Sequence, residues 1–292
     1  MSTSFPTSPF VDVDGLRAAL ASPTPPVVLD VRWNLTGPPG ALAFAAGHVP
    51  GAVHLDLDLV LADPPGERGR HPLPDPARFA AAMRRAGVTL DRQVVVMDGG
   101  DGTVAARAWW LLRHHGHDAV RVLDGGFAAW LGSGAPGATG GAVEPYDDDG
   151  APTQHPFTAD VSRSPVLDAA AAADLAREGV LLDARAPARY AGEVEPVDRV
   201  AGHIPGAVNA PTSVALDASG RFLGPEVLVQ RFADLGVGPD VRVGAYCGSG
   251  VTAAHTVLVL HSIGIEAALY PGSWSEWIAD PARPVATTAK RG

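Results

Sequence analysis

The chain has 292 residues, enough for one large domain or two of ordinary size. A net charge of −10 with histidine neutral argues against non-specific nucleic-acid binding and against attachment to an anionic membrane surface. The single cysteine excludes an intramolecular disulfide framework and a zinc knuckle, and it fits a reducing compartment.

Taken in order, the chain starts with Met1 to Pro6, which lacks a basic region followed by an apolar core. No uninterrupted apolar stretch is long enough to span a bilayer, so a cytoplasmic location is expected. Short apolar runs at Val27–Val31, Val94–Asp98 and Val120–Leu123 read as strands, and Asp75–Ala86 and Thr103–His115 read as helices. A segment from Gly132 to about Phe157 is rich in Gly, Pro and Ala and reads as a linker. Its Asp147-Asp148-Asp149-Gly150 run lacks the spacing of an EF-hand loop and reads as a solvated turn. Beyond it, Val180–Asp183, Val241–Tyr246 and Glu266–Leu269 are strand candidates, and Pro225–Leu235 and Thr252–Ser262 are helices. Strands alternating with helices imply an α/β fold with a mainly parallel sheet covered on both faces.

The chain contains itself twice. Val28-Leu29-Asp30-Val31-Arg32 returns as Leu181-Leu182-Asp183-Ala184-Arg185, and the Gly47–Val53 block returns as Gly202–Val208. Val96–Thr103 aligns without gaps on Ala245–Thr252, and Leu123–Trp130 matches Tyr270–Trp277. Four blocks in the same order describe a duplicated domain with a period too long for a solenoid. The expected division is 1–135, a linker over 136–158, and 159–292.

Cys247 lies in Tyr246-Cys247-Gly248-Ser249-Gly250-Val251-Thr252, between a strand and a helix. Gly248 and Gly250 let the backbone curl with its N–H groups turned inward. A helix N-terminus behind such a loop carries partial positive charge. A thiol held there is expected to ionise readily, and the thiolate is the nucleophile. A lone cysteine is otherwise often a packing residue. The first copy places Asp98 where the second places Cys247. A carboxylate suits the same helix terminus and could cap it, but it cannot accept and pass on sulfur, so the first domain is expected to be catalytically silent.

The run Cys247-Gly248-Ser249-Gly250-Val251-Thr252 resembles the active-site loop of the two-domain rhodanese-like sulfurtransferases, in the form found in the 3-mercaptopyruvate branch. The thiosulfate form usually carries Arg and Lys where this chain has Gly248 and Ser249. The resemblance, extended by the repeats, covers nearly the whole chain. It implies two tandem rhodanese-like domains, a persulfide on Cys247, and substrate contacts from Gly248, Ser249, Gly250, Val251 and Thr252. It implies no metal or organic cofactor. Arg189 matches a substrate-binding arginine of the family, and Arg185 resembles a structural arginine pairing with a nearby acid. Arg199, after Glu195-Pro196, is offset from a second family arginine. His48 matches a first-domain histidine proposed to work with the loop serine and an aspartate. No aspartate stands between Trp33 and His48, and because His203 repeats His48 in the other copy, a structural role is the better expectation.

The implied reaction moves sulfur from a small-molecule donor to cyanide, a thiol or thioredoxin, with 3-mercaptopyruvate favoured and thiosulfate the alternative. A cysteine phosphatase needs an arginine six or seven residues after the cysteine, where this chain has Ala253 and Ala254. A non-enzymatic binding module is the remaining class.

Overall fold

Parallel strands need crossovers long enough to carry a helix, and the alternation along this chain supplies them. The computed structural model describes residues 8–140 and 155–287; the acidic run Asp147–Asp149 lies outside them. The first half holds β1 (Phe10–Val11), α1 (Val13–Leu20), β2 (Val27–Asp30), α2 (Gly40–Ala46), β3 (Val53–His54), α3 (Pro76–Arg85), β4 (Val94–Met97), α4 (Thr103–His114), β5 (Val120–Leu123) and α5 (Gly126–Gly132). A single π-type turn, Leu57–Leu61, follows β3. The second half holds α6 (Ala169–Glu178), β6 (Val180–Asp183), α7 (Pro187–Tyr190), β7 (Val208–Asn209), α8 (Pro225–Asp234), β8 (Val243–Tyr246), α9 (Val251–Ser262), β9 (Ala267–Leu269) and α10 (Ser273–Trp277).

All pairings within the two sheets are parallel, in the orders β1-β5-β4-β2-β3 and β7-β6-β8-β9. The duplication seen in the sequence is thus also a duplication of topology: Leu29 pairs with Val96 in one sheet and Leu182 with Ala245 in the other. Even the edge is echoed, because a lone bridge from Val166 to Leu269 stands where β1 meets β5. The repeated Asp-x-Arg blocks become repeated clamps. Arg32 binds Asp30 and donates to Gly47 O at 2.7 Å, and Arg185 binds Asp183 and donates to Gly202 O at 2.6 Å.

Helix starts follow local chemistry. Asp75 caps α3 by accepting the Arg78 N–H at 2.9 Å, with Pro76 in the first turn, and Asp168 caps α6 through Ala171. The central helices are buried on nearly every side. Ten of the twelve residues of α4 and ten of the twelve of α9 are buried. A helix apolar all round must be covered on every side. Here α4 and α9 pack on each other while each also covers its own sheet. One contiguous core therefore runs from Leu29 and Val96 through Trp109, Trp110 and Leu258 to Leu182 and Ala245. Alternate strand residues Val28 and Val95 face the outer helices with Leu16 and Trp130. No described helix is long and apolar enough to cross a membrane.

Candidate active site

The strand β8 ends at Tyr246, and the chain turns through Cys247–Gly250 into α9. Gly250 has φ +81°, and a Cβ there would lie 2.2 Å from Pro271 O, so only glycine fits. The Gly250 N–H donates to Cys247 Sγ at 3.1 Å. The Cys247 N–H donates to Ser273 Oγ at 3.1 Å, while Trp274 and Ser275 donate to the carbonyls of Cys247 and Gly248. Ser273 holds φ +53°, a left-handed conformation also found at its first-copy counterpart Gly126. A strained serine where the twin uses glycine is explained by its hydroxyl, which the cysteine amide requires.

Cys247 is 2% exposed. It is not sealed in the core, because it forms the floor of a cleft of about 310 Å³ between the two halves. Trp33, Leu35, Arg70, His71 and Thr103 line this cleft from the first half, and Arg189, Gly248, Ser249 and Thr252 from the second. The cleft opens beyond the carboxyl ends of β6 and β8, where ligands bind in such sheets. Two other hollows, of about 350 and 290 Å³, share Arg113, Asp118 and His261 and border residues at the opposite strand ends, such as Val94 and Ala267. Neither is lined by a cysteine.

The first-copy loop shows what this backbone binds. One oxygen of Asp98 accepts the N–H groups of Gly100 and Gly102 at 3.0 and 3.1 Å, and the other those of Val104 and Ala105 at 3.0 and 3.1 Å. Asp98 is thus more than a helix cap: its carboxylate fills an anion cradle of four amides. Burial raises its pKa, with Asp101 adding to the effect and these amides opposing it. The left-handed helix caps Gly102 and Gly250 correspond, so the first-copy loop is one residue longer than the gap-free sequence alignment has it, and the Gly102, Val104 and Ala105 donors map onto Gly250, Thr252 and Ala253.

Two groups of side chains flank Cys247. On one side the Ser249 hydroxyl lies 2.8 Å from His71 Nδ1, and His71 Nε2 lies 3.3 Å from Asp58 Oδ1. Trp33 Nε1 donates to the other Asp58 oxygen at 2.9 Å. Burial lowers the His71 pKa to about 4; Asp58 opposes the shift, and Arg107 and Arg70 add to it. The ring is therefore neutral at pH 7, able to accept from Ser249 while its other nitrogen faces Asp58. On the other side, Arg189 binds Glu195 at 2.6 Å and Asp198 at 3.0 Å, and Arg70 binds Asp198 at 2.8 Å. A Cβ on Gly248 would lie 3.2 Å from Arg70 Nη2 and 3.6 Å from Arg189 Nη2, so both guanidinium groups reach the residue next to the cysteine.

Beneath the loop lies Arg107 of α4, fully buried. It donates to the carbonyls of Leu61, His71 and Pro72 in the first half and to Gly250 in the second, at 3.1–3.3 Å. Burial lowers its pKa to about 10, and Cys247 opposes the shift, so it stays cationic at neutral pH.

The rhodanese-like domain model matches residues 12–133 and 168–280. The chain belongs to the rhodanese-like sulfurtransferases. A Pseudomonas aeruginosa relative, provisionally named a 3-mercaptopyruvate sulfurtransferase, is 48% identical over 93% of this chain and 95% of its own. Mycobacterium tuberculosis SseB, provisionally named a thiosulfate sulfurtransferase, is 44% identical over 92% and 94%. The solved 3-mercaptopyruvate sulfurtransferase SseA of Escherichia coli superposes with a TM-score of 0.76 at 33% identity, covering 92% of this chain and all of that one.

Within this sulfurtransferase, Gly248, Ser249, Val251, Thr252 and Arg189 line the cleft beside Cys247, and Gly250 shapes the loop behind it. Thr252 does not cap α9; Gly250 holds the cap position without a side-chain bond, and the threonine faces the cleft. Arg185 makes the structural clamp expected of it. Two residues lie elsewhere. His48 bonds Phe44 O through Nδ1 at 2.9 Å and stacks on the Phe44 ring, the structural role its repetition suggests. Arg199 donates to Ile278 O and does not line the cleft. The histidine beside Ser249 is His71, and the second arginine is Arg70. Both lie between Asp63 and Asp75, a stretch longer in the first copy than its counterpart in the second. That asymmetry was the available signal. The aspartate sought before His48 lies after it, at Asp58.

Among the described residues no cluster of three or more His, Cys, Asp or Glu side chains is arranged to hold a metal ion.

Proposed function

We propose that this sulfurtransferase moves sulfur from 3-mercaptopyruvate to a thiophilic acceptor through a persulfide on Cys247. The observation that carries the reading is the placement of Cys247 Sγ, bonded by the Gly250 N–H, on the floor of a cleft between a Ser-His-Asp relay and two arginines. The thiolate attacks the donor sulfur, the sulfur–C3 bond breaks, and the thiol proton of the donor ends on C3, so pyruvate leaves. Ser249, backed by neutral His71 and Asp58, sits where it can relay that proton. The loop amides then hold the anionic outer sulfur as those of the first copy hold the Asp98 carboxylate. Cyanide, a thiol or reduced thioredoxin next takes the sulfur and restores the thiolate. Ping-pong kinetics are expected.

The first domain, 1–135, is silent as a nucleophile on this reading, but it lends Asp58, Arg70, His71 and Arg107 to the site of the second, 159–292. A nucleophile that must stay reduced supports a cytoplasmic location.

The donor carboxylate is assigned to Arg70 and Arg189, since the directed N–H donors of paired guanidinium groups match a carboxylate in geometry. Arg189→Ala is expected to lower kcat/KM for mercaptopyruvate by about 100-fold, mostly through KM, whereas Arg199→Ala leaves it within about threefold. Steady-state assays check this, and equal losses would remove Arg189 from the site. His71→Asn is expected to lower kcat about 100-fold, the usual worth of an acid–base group, while His48→Asn lowers thermal stability and spares kcat. The reverse pattern would reinstate His48. The reading as a whole is tested by mass spectrometry after incubation with mercaptopyruvate or thiosulfate. One added sulfur atom on Cys247 is expected, and none with either donor would sink the proposal.

A further inference from the structure

The two arginines over Gly248 are already occupied. Asp198 bridges them, its Oδ1 2.8 Å from Arg70 Nη1 and its Oδ2 3.0 Å from Arg189 Nη2 and 3.4 Å from Arg70 Nη2. Its side chain is 4% exposed, and its own N–H donates to Glu195 Oε1 at 3.1 Å. The other side of Arg189 is taken by Glu195, which also lies 3.4 Å from Arg185 Nη1. Arg185 is in turn neutralised by Asp183. The clamp that reaches the catalytic loop thus combines two cations, Arg70 and Arg189, with two carboxylates, Glu195 and Asp198, and has no net charge.

Such a clamp retains directed N–H donors but loses the long-range field that would favour a doubly charged ligand. We propose that Asp198 is a specificity-determining residue: by neutralising the Arg70–Arg189 pair it selects singly charged carboxylate donors over dianions such as thiosulfate. Each further unit of charge on a ligand meets the repulsion of this buried carboxylate once more, so the dianion is penalised more than the monoanion. The same bridge spans the cleft, because Arg70 comes from the first half and Asp198 from the second, and it fixes the distance between the two forks.

This assignment rests on the sulfur-transfer reading for its substrates, but it is testable without turnover. Asp198→Asn keeps the shape and removes the charge; Asp198→Glu keeps the charge. Calorimetric titration with sulfate and with pyruvate, in wild type and both variants, is expected to show the affinity for sulfate relative to pyruvate rising about tenfold in the asparagine variant and staying near wild type in the glutamate variant. The ratio of kcat/KM for thiosulfate to that for mercaptopyruvate should rise in parallel. A merely structural Asp198 would weaken both anions together and leave the ratios alone, and that result overturns the assignment. If Cys247 takes no sulfur from either donor, the proposed function falls, while the titration still decides the role of Asp198.

Discussion

Replacing Cys247 by serine is expected to abolish turnover with every donor, a loss of at least about 10,000-fold in kcat, and to leave the fold intact. The two expectations have separate causes. Stability is spared because the Gly250 N–H, now bonded to Sγ at 3.1 Å, finds a hydroxyl oxygen in the same place, and because Ser273 and Trp274 hold the main chain of residue 247 rather than its side chain. A change of less than about 1 kcal/mol is expected for so conservative a swap. Activity is lost because a serine hydroxyl stays protonated in the cradle and forms no stable bond to sulfane sulfur. The first copy already holds an oxygen anion, Asp98, in the equivalent loop. Steady-state assays, circular dichroism and mass spectrometry on the variant check this. Undiminished turnover in a folded variant, or persulfide sulfur elsewhere on the chain, would remove Cys247 from the reaction.

The second large effect is on acid stability. Burial lowers the pKa values of His71, His114 and His255 to about 4. For His71 and His255 nearby acids, Asp58 and Asp101, oppose the shift; for His114 the neighbouring His115 adds to it. In the unfolded chain these rings take up protons near pH 6.5; in the folded chain they resist until about pH 4. The unfolded state therefore binds more protons between these values, and stability rises with pH across that window. It is fully present above about pH 6.5 and falls away as the medium is acidified toward pH 4. Each such histidine contributes about 3 kcal/mol to the loss by pH 4. Three of them approach the whole stability of a typical domain, ~5–15 kcal/mol. Asp98 and Asp124, whose pKa values are raised by burial, work in the opposite direction. The urea midpoint should therefore drop steeply from pH 6.5 to pH 4.5, before most carboxylates titrate. A midpoint unchanged over that interval would mean that these rings are not held neutral inside the fold.

Much of the architecture was written in local pattern. The apolar runs that read as strands became β2, β4, β5, β6, β8 and β9 within one or two residues, because a short, largely buried apolar run between turns leaves few other conformations. The short strands β1, β3 and β7, two residues each, carry no periodic signal and exist only because a neighbour offers its edge. The helix α4 shows the same limit. Its sequence displays an apolar segment but not its second covering layer, which α9 of the other half supplies.

The site divides along the same line. The cysteine, the glycines that curl its loop and the doubling of the chain are properties of adjacent residues, and the sequence alone determined them, together with the identity of Asp98 as the twin of Cys247. Which histidine meets Ser249, which arginine faces Arg189, and that Arg107 ties both halves beneath the loop depend on contacts between residues 36 to 178 positions apart, and only the tertiary structure decided them. Chain neighbours fix torsions and turns. Charge and hydrogen-bond partners across a cleft are fixed by how two sheets pack, and packing leaves no mark at any single position.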